Sequence, residues 1–152
     1  MMQFTAAQID EYMDLAINES AGCGDDVPVG CVIVDNAGNV ISRGRNTRER
    51  DNCLTGHAEI NALLAAANLT GSYKLSGCTL FVTLEPCPMC AGAINDANID
   101  TVIFGAENSS CGACGSVTNV LKGRTECFGG IKRDEISKTL SSFFMDMRAK
   151  KE

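Results

Sequence analysis

No stretch of this 152-residue sequence stays apolar for the ~18–20 residues that a bilayer-spanning helix requires. The start, Met1-Met2-Gln3-Phe4, has neither the basic n-region nor the apolar h-region of a signal peptide. Internal repeats and linkers are also missing. These absences argue against a membrane or exported protein and lead us to expect one cytoplasmic domain over residues 1–152. Apolar residues make up 45% of the chain, which argues against disorder. There is a single histidine, so any chemistry that needs an imidazole must use His57.

Charge is also missing in a patterned way. Residues 1–42 hold seven acids and no Lys or Arg. Arg43, Arg45, Arg48 and Arg50 then crowd together, and Lys74 is the one base between 51 and 121. From Lys122 onward bases outnumber acids, eight to five. The net charge of −6 argues against nucleic acid as a partner, whereas the two basic patches argue for it. If phosphate is bound, the four arginines and Lys150–Lys151 are the expected contacts.

What the chain has in plenty is cysteine, nine in all. With no export signal and an ample core, thiols and metal ligation are expected rather than a disulfide framework. His57-Ala58-Glu59 and Pro86-Cys87-Pro88-Met89-Cys90 supply three candidate zinc ligands and one carboxylate that need not be a ligand. Structural zinc sites usually close with four protein ligands, while catalytic sites keep a position open for water. Three ligands plus Glu59 therefore point to water activation. A second pair, Cys111 and Cys114, offers a rival. Twenty residues separate it from Cys87-x-x-Cys90, a spacing that suits a four-cysteine structural zinc module. That module would leave His57 and Glu59 unexplained.

Periodicity gives the framework. Thr5–Gln8 reads as a capping box opening a helix that carries Ile9, Met13, Ala16 and Ile17 on one face. Val29–Asp35 and Val40–Gly44 read as a hairpin across an Asn36–Asn39 turn. A helix is expected from His57, with Ile60, Leu63, Leu64 and Ala67 inward. Thr79–Leu84 reads as a buried strand, residues 88–97 as a short helix with Pro88 in its first turn, and Thr101–Phe104 as another strand. A short helix is expected at Val117–Leu121 and a last strand at Glu126–Ile131. The final helix, from about Arg133, is expected to turn Ile136, Leu140, Phe143, Phe144 and Met147 inward. Alternating strands and helices in one piece argue for a three-layer α/β/α sandwich.

The blocks Val27–Gly30, Gly44–Asn46, His57–Ile60, Thr83–Ile94, Phe104–Ala106 and Gly112–Ser116, with Phe143-Phe144 and Arg148 near the end, resemble the tRNA-specific adenosine deaminases of the cytidine/deoxycytidylate deaminase superfamily. The resemblance covers nearly the whole chain. It implies a mixed five-stranded sheet between helices, a homodimer, one Zn²⁺ per chain and no organic cofactor. The implied substrate is the tRNA anticodon stem-loop, with adenosine converted to inosine at the wobble position. His57, Cys87 and Cys90 would hold zinc, and Glu59 would shuttle protons. Asn46, Asn108 and Val27 would contact the substrate. Asn108 stands where bacterial members usually carry Asp. A free-base deaminase acting on guanine or cytosine would use the same zinc chemistry and is the alternative.

Overall fold

The computed structural model describes residues 3–121 and 123–151. Met1 and Met2, which open the leader argument, and Lys122, which opens the second basic stretch, lie outside them. The elements run α1 (Ala6–Ser20), β1 (Gly30–Val34), β2 (Val40–Arg45), α2 (Ala58–Thr70) and β3 (Thr79–Leu84). They continue with α3 (Pro88–Asp96), β4 (Thr101–Ala106), β5 (Glu126–Phe128) and α4 (Arg133–Lys151). The five strands form one sheet in the order β2-β1-β3-β4-β5. β1 is antiparallel to both β2 and β3, whereas β3, β4 and β5 are mutually parallel. The sheet is therefore mixed, as the resemblance implies.

Alternation along the strands divides the interior in two. Cys31, Ile33, Leu80, Val82 and Val102 join Ala62 and Leu63 of α2 and Ile94 of α3 on one face. Val32, Val34, Phe81 and Ile103 join Met13 of α1 and Ile136 and Leu140 of α4 on the other. A period of two with both faces covered produces the three layers. Two glycines set how closely helices lie on the sheet. A Cβ at Gly30 would sit 1.9 Å from the Ala16 carbonyl oxygen, and one at Gly44 would sit 2.3 Å from that of Ala58. Backbone approaches backbone at both points, α1 on one face and α2 on the other. The capping box at the start of α1 is present in full: Thr5 Oγ1 accepts from Gln8 N–H, and Gln8 Oε1 accepts from Thr5 N–H. No helix among the described residues is long and apolar enough to cross a membrane.

Four expectations are corrected. Val117–Leu121 is not helical. It lies in an irregular loop with an isolated bridge between Cys114 and Asn119. Val117, Thr118 and Val120 are β-branched and poor helix formers. In addition, the Val117 and Thr118 N–H groups both turn back to the Gly112 carbonyl, each at 3.0 Å. The last strand ends at Phe128, although Gly130 and Ile131 still donate to Gly105 and Phe104 of β4. α2 buries Ala58, Glu59, Ala62, Leu63 and Ala66, leaving Leu64 60% exposed. Its small residues face the sheet because only they fit the approach at Gly44. In α4, Ile136 and Leu140 enter the core, but Phe143 and Met147 are only half-buried and Phe144 is exposed.

Candidate active site

Two helix starts bring the metal-binding residue types together. His57 is the N-cap of α2 and Cys87 the N-cap of α3, both with extended backbone, and Cys90 lies in the first turn of α3 behind Pro88. Proline suits that first turn because its missing N–H would have no helical partner there. β3 delivers α3 directly. The start of α2 is held by Asn61, whose amide donates to the Arg45 carbonyl and to Thr47 Oγ1 at the end of β2.

His57 Nδ1 lies 3.6 Å from Cys87 Sγ and 3.4 Å from Cys90 Sγ. Zinc bonds of about 2.3 Å to sulfur and 2.05 Å to nitrogen, at a tetrahedral angle, separate those atoms by about 3.6 Å. The donor set and its spacing thus fit zinc. The three ligand atoms lie within 4.8 Å of one another, and this is the one such group among the described residues. Cys111 and Cys114 do not join Cys87 and Cys90, so the four-cysteine module is not formed. Cys111 Sγ instead accepts from Asn108 Nδ2.

Electrostatics at the tripod separate the two thiols. A hydrogen bond from the Cys90 thiol, with a further one from His57, pulls Cys87 down to about 4, so its sulfur is a thiolate at neutral pH. The same Cys87–Cys90 bond and burial hold the Cys90 thiol well above the ordinary range. The bond to Cys87 also raises His57. Glu59, one residue into α2 beyond Ala58, is 4% exposed, and burial pushes its carboxyl up to about 7. A carboxyl poised there can both take and give a proton near neutrality.

His57, Glu59 and Cys87 border a cavity of about 630 Å³. The expected substrate contacts Val27, Asn46 and Asn108 all line it. Asn46 Nδ2 donates to the Val27 carbonyl at 3.1 Å, and Asn46 Oδ1 accepts from Arg48 N–H. Of the four clustered arginines, only Arg48 lines the cavity. Arg45 is committed elsewhere: Nε and Nη2 reach Glu19 Oε2 at 3.1 and 2.9 Å, and Nη1 reaches the Gly22 carbonyl. Arg50 pairs with Asp51. Lys151 borders the cavity, while Lys150 lies 3.7 Å from Asp25.

Sequence reasoning missed several members of this site. Phe143, Phe144 and Met147 form a cavity wall rather than core. Asp26, 3% exposed, accepts from the Glu49 and Arg50 N–H groups and ties the α1–β1 loop to the arginine loop. Glu85, 1% exposed, borders the cavity beside Cys87. An acid placed between an apolar strand and a cysteine pair was the available signal for Glu85. Nothing local singles out Asp26.

Residues 6–106 match the cytidine and deoxycytidylate deaminase zinc-binding region. The chain is 38% identical over 151 residues to the tRNA-specific adenosine deaminase of Bacillus subtilis strain 168, covering 95% of this chain and 93% of that one. It is also 38% identical to a tRNA(Ile)-lysidine synthase of Deinococcus deserti, of which it spans only 28%. A solved structure from work on A-to-I editing by tRNA:A34 deaminases at the wobble position of transfer RNA superimposes with a TM-score of 0.79. That match has 34% identity and covers 85% of this chain and 98% of the other. Given a His/Cys/Cys tripod at two helix starts, a family match over residues 6–106 and a Bacillus subtilis relative matched over 93% of its length, the chain belongs to the cytidine and deoxycytidylate deaminase family and is similar to its tRNA-specific adenosine deaminases.

Proposed function

We propose that this chain is a zinc-dependent hydrolase that converts adenosine to inosine at the wobble position of tRNA, with His57, Cys87 and Cys90 as metal ligands. The convergence of those three side chains beside buried Glu59, at one wall of a large cavity, carries the reading. Bound there, zinc supplies a Lewis acid that brings the pKa of a coordinated water toward ~7. Glu59 takes a proton from the attacking water and gives it to the adjacent ring nitrogen. The water oxygen bonds to the amino-bearing carbon. Glu59 then moves the second proton to the departing nitrogen, which leaves as ammonia. Each transfer restores the carboxyl to the state needed for the next.

Val27, Asn46 and Asn108 orient the base and its sugar. A stacked base cannot enter such a site, so the substrate is an unstacked nucleotide, which an anticodon loop provides. Arg48 and Lys151 meet the RNA backbone. The proposal extends to a single deaminase domain over 1–152, acting as a homodimer in the cytoplasm. Sedimentation measurements test the homodimer directly.

Parallel incubations with tRNA carrying adenosine at the wobble position, guanine and cytosine test the substrate. Inosine in the tRNA with no ammonia from the free bases is the expected result. Ammonia from guanine or cytosine alone would move the assignment to a free-base deaminase.

A further inference from the structure

Glu85, like Asp26, is a buried acid that the proposed mechanism does not use. It follows β3 directly and precedes Pro86-Cys87, and its carboxylate is bound by the 107–118 loop. Oε1 accepts from the Asn108 N–H at 3.1 Å and from the Ser116 hydroxyl. Oε2 accepts from the Cys114 N–H at 2.9 Å and the Ser116 N–H at 3.1 Å. An ionised carboxylate offers about four lone-pair sites, so all of them are used. The first partner lies at the start of the loop and the others at its end, so one side chain closes the segment. The middle of the loop wraps the same group: a Cβ at Gly112 would lie 2.5 Å from Glu85 Cδ and Oε1.

The backbone around Glu85 is secured independently of its side chain. Glu85 N–H donates to the Ala106 carbonyl, and Ala91 N–H of α3 donates to the Cys87 carbonyl, both at 2.9 Å. The carboxylate therefore organises the loop, while strand pairing and the position of Cys87 rest on other bonds. The loop presents Asn108 and Cys111 to the cavity, and Asn108 is its hydrogen-bonding amide. Its Oδ1 accepts from the Ser110 and Cys111 N–H groups, so its side-chain orientation follows the loop backbone.

We propose that Glu85 is a positioning residue for substrate: its carboxylate is the hub on which the 107–118 loop folds, and through that loop it sets Asn108 at the cavity wall. The proposal rests on the deaminase reading above. In Glu85→Gln an amide NH₂ meets backbone N–H groups, leaving donors unpaired. Zinc-loaded protein is assayed on an anticodon stem-loop RNA. For Glu85→Gln we expect KM to rise tenfold or more, kcat to stay within threefold, and zinc to remain at one per chain. Ser116→Ala, which removes one donor, should raise KM two- to threefold. Because Glu85 acts through Asn108, the double variant Glu85→Gln/Asn108→Ala should have the KM of Asn108→Ala alone. Amide exchange in residues 107–118 should quicken at least tenfold in Glu85→Gln, with β3 and β4 unchanged. An unchanged KM, a joint loss of zinc and kcat at constant KM, a double variant whose penalty is the product of the singles, or undisturbed loop exchange would each overturn the proposal. A wild-type protein inactive on RNA defeats the deaminase reading instead, and loop exchange still judges Glu85.

Discussion

Replacing Glu59 by Gln should stabilise the metal-free protein at alkaline pH and leave it unchanged in acid. Glu59 is 4% exposed, and burial raises its carboxyl from the ordinary 4.5 to about 7. The folded state therefore holds this proton more tightly than the unfolded chain does. Below pH ~4.5 the group is neutral in both states and has no effect. Between ~4.5 and ~7 the unfolded chain releases its proton first, so stability falls as pH rises, and above ~7 the full penalty is present. A difference of about 2.5 units at 1.36 kcal/mol each gives about 3 kcal/mol. In a chain of this length that corresponds to roughly 6–12 °C in Tm. Glutamine keeps the shape and cannot ionise. Urea unfolding of both proteins in chelator, about one pH unit below the ordinary 4.5 of the carboxyl and at about pH 8, measures the effect. Superimposable curves in acid and a more stable variant at pH 8 are expected. A difference independent of pH, or a wild type more stable at pH 8, would refute the burial argument. The same substitution should lower deamination by roughly 10²–10⁴-fold with zinc retained.

Arg48→Ala should reduce the salt dependence of RNA binding by nearly one unit, because Arg48 lines the cavity. Arg45→Ala should leave that slope intact and lower stability by about 1 kcal/mol or less, since its guanidinium is partly exposed and bound to Glu19. Metal analysis should find zinc lost in Cys87→Ser and kept in Cys111→Ser, whose sulfur stands outside the tripod. Gly44→Ala should lower thermal stability by about 2 kcal/mol or more, because its Cβ would meet the Ala58 carbonyl at 2.3 Å and the Ala62 nitrogen at 2.6 Å. A wild-type melting curve would show that α2 can lift without penalty.

The zinc tripod was legible because each half of it is local. His57 with Glu59, and Cys87 with Cys90, are short-range motifs placed at helix starts, and strands rich in β-branched residues mark where those helices begin. The sheet strands were legible for the same reason. α2 was harder, because apolar residues surround it: Ile60 and Leu64 look as core-like as Ala62 and Leu63. The decision lies in Gly44, a residue of another element. Arg45 misled the reading for a related reason. Its neighbours in sequence suggest a basic patch, but its carboxylate partner lies 26 positions away in α1. The fold of 117–121 is likewise set from outside the segment: Val117 and Thr118 turn back to Gly112, Val120 donates to Ala113, and Asn95 Nδ2 donates to the Val120 carbonyl from 25 positions away.

α4 does two jobs in sequence along one axis. Ile136 and Leu140 bolt its first half to the sheet. The later turns, with Phe143, Phe144, Met147 and Lys151, stand over the cavity and bury little in the core. Variation is therefore inexpensive where it matters for recognition. The far end of this helix, and with it one wall of the cavity, can be rewritten without disturbing the packing that keeps the sheet and the His/Cys/Cys tripod in place.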